Sequence, residues 1–331
     1  MSNWHEAADA KLAIHNFWKS PAGDASARAF SSAIAEQNPN SLPLYREIDR
    51  LEALVMSRAE PIWVAPEIMD IVEVAQETFR PEPFLESDLI TVAGFVLLPI
   101  PIWIPDATGK RVSFRAFSWY PTTGPGPNAN PDDPPVNGAW MSFYSHFDDI
   151  EGEEQGSALK QAVARTQADY GYSCPWIFLH GMIVPFGMSP TEWWNNAARK
   201  EGYTDENMAA ATESWWRYVQ TLLRLSMQHI SVRSSNPYPR AARRRAQRAG
   251  LELDAEPMVN VITLRRPKQK HGDGEGEPVN WTHRWVVGGH WRNQWYPSLG
   301  IHRQIYIADH VKGPEHLPLA VRKGRVWNFV Q

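Results

Sequence analysis

The sequence predicts an α+β protein in which helical blocks alternate with antiparallel sheet and a basic β-hairpin unit lies toward the C-terminus. Three observations carry this. Apolar residues recur every three or four positions through the first 80 residues, and the period drops to two from about Leu89. No strand-helix-strand rhythm of the kind that builds a parallel sheet is evident. With 331 residues, 43% of them apolar and 16 of them Trp, the chain can bury a substantial core as one large or two modest domains.

Taken in order, "EAADAKLAIHNF", "DASARAFSSAIAEQ", "LYREIDRLEALVMS" and "PEIMDIVEVAQETF" each carry one apolar helix face. "LITVAGFVLLPIPIWI", "RVSFRAFSWYP" and "GAWMSFYSHF" read as strands, the first two joined through "PDATGKR" with Gly109 available for the turn. Proline in the first of these favours a sheet edge or a broken strand. Residues 121–135, with six Pro and two Gly, form a loop inserted in the sheet, and "CPWIFLHGMIVPFG" is a further extended segment. Ser189, Pro190 and Glu192 spell a capping box that opens a helix closed by Gly202. The longest helix is expected from about Thr204 to Val232, with Trp215, Val219, Leu222, Leu223, Met227 and Ile230 along its buried side. A short helix between Pro239 and Gly250 precedes strands at "MVNVITLRR", "THRWVVGGHW", "GGHWRNQWYPSLGIHRQIYI" and "RVWNFV", with a polar loop over residues 266–280.

Charge divides the chain. Residues 1–230 hold 16 Lys+Arg against 29 Asp+Glu, whereas residues 231–331 hold 17 against 8. The expected organisation is therefore an acidic body, 1–232, and a basic C-terminal unit, 233–331, which either attract each other or leave the basic end for an acidic partner. Cys174 is the only cysteine, so no intrachain disulfide and no cysteine-based zinc site is possible, as suits a reducing compartment. The first residues carry charges where a signal peptide needs an apolar run, and "VAGFVLLPIPIWIP" is too short and too rich in proline to span a bilayer. These features point to a cytoplasmic protein with no membrane partner.

The basic helix places Arg240, Arg244 and Arg248 on one face, widened by Arg243 and Arg245. Like charges at that spacing repel, so phosphates or the acidic body must compensate them. In the hairpin, a five-residue loop over Pro297–Ile301 sets Tyr296 opposite His302, Gln294 opposite Gln304 and Arg292 opposite Tyr306, with the indoles sharing the other face with Ile305 and Ile307. A four-residue loop lines up the indoles with His302, Gln304 and Tyr306 instead. Apolar patterning prefers five, which yields one polar face of His290, Arg292, Gln294, Tyr296, His302, Gln304 and Tyr306. With Arg284 just upstream, such residues can stack on bases, pair with phosphate and read base edges. The same rows can equally cover another layer of the protein and satisfy one another.

Gly288 and Gly289 suggest a bulge or a close backbone approach beside His290. The catalytic residues are not determined by the sequence; the candidates are His290 and His302 as acid and base with Arg292 on a charged phosphorane. No metal and no other cofactor is expected: the histidines at 271, 283, 290, 302, 310 and 316 form no paired ligand motif, and "HFDD" at 146–149 reads as an ordinary strand end. P-loop, Rossmann and G-x-S-x-G motifs are lacking.

Over "RAARRRAQRAG", "VNVITLRR" and "HRWVVGGHWRNQWYPSLGIHRQIYIADHVKGPEHLPL" the chain resembles a group of proteins of actinobacteria and their bacteriophages for which no catalytic role is known. The likeness is strongest over about residues 237–320. It departs at "VVGGHW", where the group leads one to expect an Arg before the glycine preceding His290. The resemblance implies a bacterial or phage cytosolic setting and no active-site residues. Three functions follow from the residues: binding of RNA or DNA through the basic helix and the hairpin face, a metal-independent ribonuclease or toxin-like phosphodiesterase, and an assembly factor whose arginines dock on an acidic protein. Oligomeric state and the choice between RNA and DNA are not determined by the sequence.

Overall fold

A computed structural model of the chain describes residues 4–37, 48–105, 111–124, 135–150, 154–192, 206–251, 253–254, 256–265, 284–298, 300–314 and 317–318. The turn at Gly109, most of the proline-rich loop, Gly202, the 266–280 loop, His271, His283, His316 and the "RVWNFV" segment lie outside the described residues.

The class is α+β. A seven-stranded sheet is built from β1 (Glu60–Val64), β2 (Gly94–Pro105), β3 (Arg111–Gly124), β4 (Val136–His146), β5 (Trp176–Pro185), β6 (Ser231–Pro237) and β7 (Met258–Leu264), in the order β5-β4-β3-β2-β1-β7-β6. Alternate residues of β1 show how its two faces are used. Ile62 and Val64 enter a core covered by α4 (Pro66–Thr78) and α6 (Glu206–Met227), while Trp63 enters a second core covered by α1 (Glu6–Trp18), α2 (Pro21–Gln37) and α3 (Ile48–Arg58). A further helix, α5 (Glu154–Asp169), packs on α2. No helix among the described residues is long and apolar enough to cross a membrane.

The sheet is mixed, which corrects the expectation of purely antiparallel pairing. Strand β1 runs parallel to both β2 and β7, and β1-α4-β2 is a strand-helix-strand crossover. "EPIWV" escapes sequence reading because it is buried on both faces and shows no alternation, with Pro61 near its start. Strand β2 is internal, yet broken as its prolines require: the register to β3 shifts between Leu97 and Ile102. Arg115 fills the break, donating to the Pro99 carbonyl at 3.1 Å and pairing with Asp149 at 3.2 Å.

Helix α6 ends at Met227, short of the expected Val232, and residues 231–237 form β6 instead. The Ser231 hydroxyl donates to the Leu225 carbonyl and Ser226 to that of Leu222, both at 2.7 Å, so the last turn is satisfied locally and the chain leaves it extended. The capping box forms as read: Ser189 N donates to Glu192 at 2.8 Å and Glu192 N to Ser189 Oγ at 3.2 Å. Strand β6 pairs with β7 and β7 with β1, so strands from both sides of the expected 232/233 boundary share one sheet.

Candidate nucleic-acid interface

The basic helix is α7 (Arg240–Arg248). Pro239 presets its first turn, and it ends in a Schellman closure: Gly250, at φ +73°, donates to the Gln247 carbonyl, and Leu251 donates to that of Ala246, both at 3.1 Å. Ala242 and Ala246, four residues apart, are its buried face, and Ala246 packs with Leu251 and with Leu12 of α1. Small side chains let the helix lie close to the body, which leaves Arg240, Arg243, Arg244, Arg245 and Arg248 exposed. Arg245 forms an ion pair with Asp9 of α1, so the acidic body does compensate part of the charge. Arg240, Arg244 and Arg248 have no ion pair or side-chain hydrogen bond among the described residues.

The hairpin of β9 (His290–Tyr296) and β10 (Ile301–Ile307) adopts the four-residue loop, a correction to the expected register. His302 lies opposite Trp295, Tyr306 opposite Trp291 and Ile305 opposite Arg292. Gly300, at φ +64°, donates to the Tyr296 carbonyl at 2.9 Å and closes the shorter loop. The indole face then packs inward. Trp291 Nε1 donates to the Ala75 carbonyl at 2.8 Å, and its ring meets Phe79 at 4.9 Å and Tyr306 at 5.3 Å. Gln304 donates to the Arg80 carbonyl at 3.0 Å and to Glu82, while Gln228, just past the end of α6, accepts from Tyr306 N at 2.8 Å. Gln304 and Tyr306 are therefore buried against the body and withdrawn from any open polar face. Apolar counting fails here because aromatic pairs and satisfied amides stabilise the inner face as well as isoleucines do.

On the outer face His290 and Arg292 are exposed, and Gln294 and Tyr296 are half-buried. Arg292 donates to Gln294 Oε1 at 2.6 Å. His302 sits on the inner face, near the loop, against the partly exposed Trp295 at 4.9 Å. Five strand positions, about 17 Å at 3.4 Å each, separate it along the ribbon from His290. The two histidines share neither a face nor an end of the hairpin, and an acid-base pair across one phosphate does not form. Gly289 makes the expected close approach, since a Cβ there would meet Tyr306 Oη at 2.1 Å. Arg284 is half-buried, its backbone N bonded to the Pro318 carbonyl at 2.8 Å, beside the small ribbon of β8 (Trp285–Val287) and β11 (His310–Lys312).

Helix α7 and the hairpin occupy opposite layers. Ala242 joins the core on the α1-α3 side of the sheet, whereas Tyr306 and Trp291 join the core on the α4-α6 side. Among the described residues the arginines of α7 and the hairpin rings form no continuous patch. Two charged groups that sequence reading passed over stand out: Lys11 and Glu52, both buried. Each has a legible signal, because each falls on the apolar face of its own helix, Lys11 with Ala7 and Ile14, Glu52 with Ile48, Val55 and Met56.

No family model and no curated protein matches the chain. Among solved structures, the crystal structure of AcrVA2 aligns at 12% identity with a TM-score of 0.37, covering 92% of this chain and 93% of that one. A likeness of that order carries no inference about activity.

Proposed function

We propose that the protein binds nucleic acid through the exposed face of α7, with Arg240, Arg244 and Arg248 contacting consecutive phosphates. The observation that carries this is a helix docked by alanines that leaves three arginines without a partner among the described residues. A polyanion relieves their mutual repulsion and supplies the acceptors they lack. Contacts of this kind position a strand and release counterions without reading its sequence. The outer row of the hairpin lies on the other layer and is assigned no part in this contact.

The test is fluorescence anisotropy with labelled single-stranded RNA, single-stranded DNA and duplex, titrated across salt. Replacing Arg240, Arg244 and Arg248 together by Ala is expected to weaken binding at least tenfold and to flatten the slope of log K against log salt by about 2 on a single strand. Affinity and slope unchanged in the triple variant contradict the assignment. Retention of an acidic protein with no retention of any nucleic acid assigns the same arginines to protein docking instead.

A further inference from the structure

Beside α7, and separate from its arginine face, an open cleft of about 660 Å3 runs between α1, α3, the start of β1 and the chain flanking α7. Lys11 lines it while only 4% exposed. No hydrogen bond or ion pair reaches its ammonium from the described residues. An ammonium on a side chain so nearly withdrawn from water is stabilised by any group that brings acceptor oxygens to it. The charged and titratable groups facing it come from every wall: His15 from α1 and Lys19 just past its end, Arg58 from α3, Glu60 from β1, and Tyr238 and Asp254 from either side of α7. Cations outnumber carboxylates in this set. Glu60 is further occupied by Asn260, which donates to it at 2.8 Å.

We propose that this cleft binds a small phosphomonoester on a hydroxyl-bearing body, of the kind a mononucleotide presents, with Lys11 as its buried anion ligand and Lys19 and Arg58 at the rim. Three cations, from α1, the residue that caps its C-terminus and the end of α3, suit a compact dianion whose oxygens point in several directions. The volume lies within the range of small-molecule sites, about 300 to 1,000 Å3. Asp254 and Glu60 are placed to accept hydroxyl protons from the ligand, and their charge disfavours a longer polyphosphate. Tyr238 supplies an aromatic wall. Burial lowers the Lys11 pKa to about 8, against the opposing pull of Asp254 and Glu60, so the ammonium is the dominant form at neutral pH and is lost just above it. Burial pushes His15 below its usual range and Tyr238 above its own, which leaves the interval near pH 8 to Lys11.

Calorimetric titration of the full chain with inorganic phosphate and with adenosine 5′-monophosphate tests this. The unmodified protein is expected to bind the mononucleotide, and Lys11→Met to weaken that binding at least tenfold. Affinity is expected to fall as pH rises from 7 to 9 in the unmodified protein and to stay level in Lys11→Met. The triple α7 variant is expected to bind as the unmodified protein does, which separates this site from the polyanion face. Lys19→Glu, at an exposed position, provides a second variant whose fold is not at risk, with an expected loss of several-fold. A gain of 5′-phosphorylated over 5′-hydroxyl oligonucleotide, on top of mononucleotide binding, identifies a strand end as the source of the phosphate. Its lack identifies a free metabolite. Failure of the unmodified protein to bind either small probe at millimolar concentration, or unchanged affinity in Lys11→Met or Lys19→Glu, overturns the proposal.

Discussion

Trp140 donates its indole N–H to the carboxyl of Glu52 at 2.7 Å, inside a core that water does not reach. Ser142 and Tyr144 donate to the same carboxyl, so three alternate residues of β4 converge on one acidic side chain of α3. Burial nevertheless pushes its pKa above the ordinary 4.5, opposed by those three donors.

The sign of the resulting pH dependence follows from proton binding. In the interval above the unfolded value the folded state holds a proton that the unfolded state has released, so stability falls as pH rises from about 4.5 through the raised folded value. Glu52→Gln, which cannot ionise, is expected to lack that slope in urea titrations followed from pH 4 upward. Glu52→Ala strands three buried donors at about 1 to 3 kcal/mol each and is expected to lower stability by several kcal/mol. A pH-independent difference between the unmodified chain and Glu52→Gln would remove the burial argument.

Two hairpin glycines are expected to fail for different reasons. At Gly289 the obstacle is space, because an added Cβ meets both Oη and Cζ of Tyr306, at 2.1 and 2.8 Å. At Gly300 nothing lies within 4 Å of an added Cβ and the obstacle is the positive φ. Gly300→Ala should therefore cost about 1 to 2 kcal/mol and Gly300→Asn less, since Asn tolerates that region. Gly289→Ala and Gly289→Asn should both be more damaging, in order of size. Thermal melts decide this; equal losses for Ala and Asn at Gly300 would mean that the turn conformation is not what holds the glycine there.

These positions also show what a sequence can and cannot reveal about such a fold. Helical periodicity locates α1 to α4, and the Ser189 box and the Gly250 closure are written in residue types whose local chemistry leaves few alternatives. Strand β1 is illegible because a fully buried parallel strand has no polar face to alternate with. The hairpin register turns on Gly300 and on partners more than 200 residues away, Ala75 and Arg80, which no local pattern encodes. For the candidate site, exposure of the α7 arginines follows from Ala242 and Ala246 at helical spacing, so that half is legible. Their separation from the hairpin rings by a whole sheet is not, because it depends on which face each element chooses.

Arg224 fixes the hairpin to that sheet, and its loss should be felt at a distance. It is buried in α6, pairs with Glu82, lies 3.5 Å from Asp88 and sits over the Phe79 ring at 5.5 Å. Glu82 also accepts from Gln304 of β10, while Gln220 bonds both the backbone N and the carbonyl of Glu82, at 3.1 and 2.9 Å. One acidic residue thus ties α6 to the hairpin. Arg224→Leu leaves Glu82 and the almost fully buried Asp88 without their cation, a change that costs about 3 to 5 kcal/mol in buried pairs. Because Gln304 shares the same carboxylate, its own truncation should cost less in the Arg224→Leu background than alone, with a coupling of about 0.5 to 3 kcal/mol. Amide exchange over Ile301–Ile307 should accelerate in Arg224→Leu while that of β3 and β4 does not, which distinguishes release of the hairpin from loss of the whole fold. Uniform acceleration through the sheet would show loss of the whole fold, and additive single losses would show that Arg224 and Gln304 do not act through a shared carboxylate.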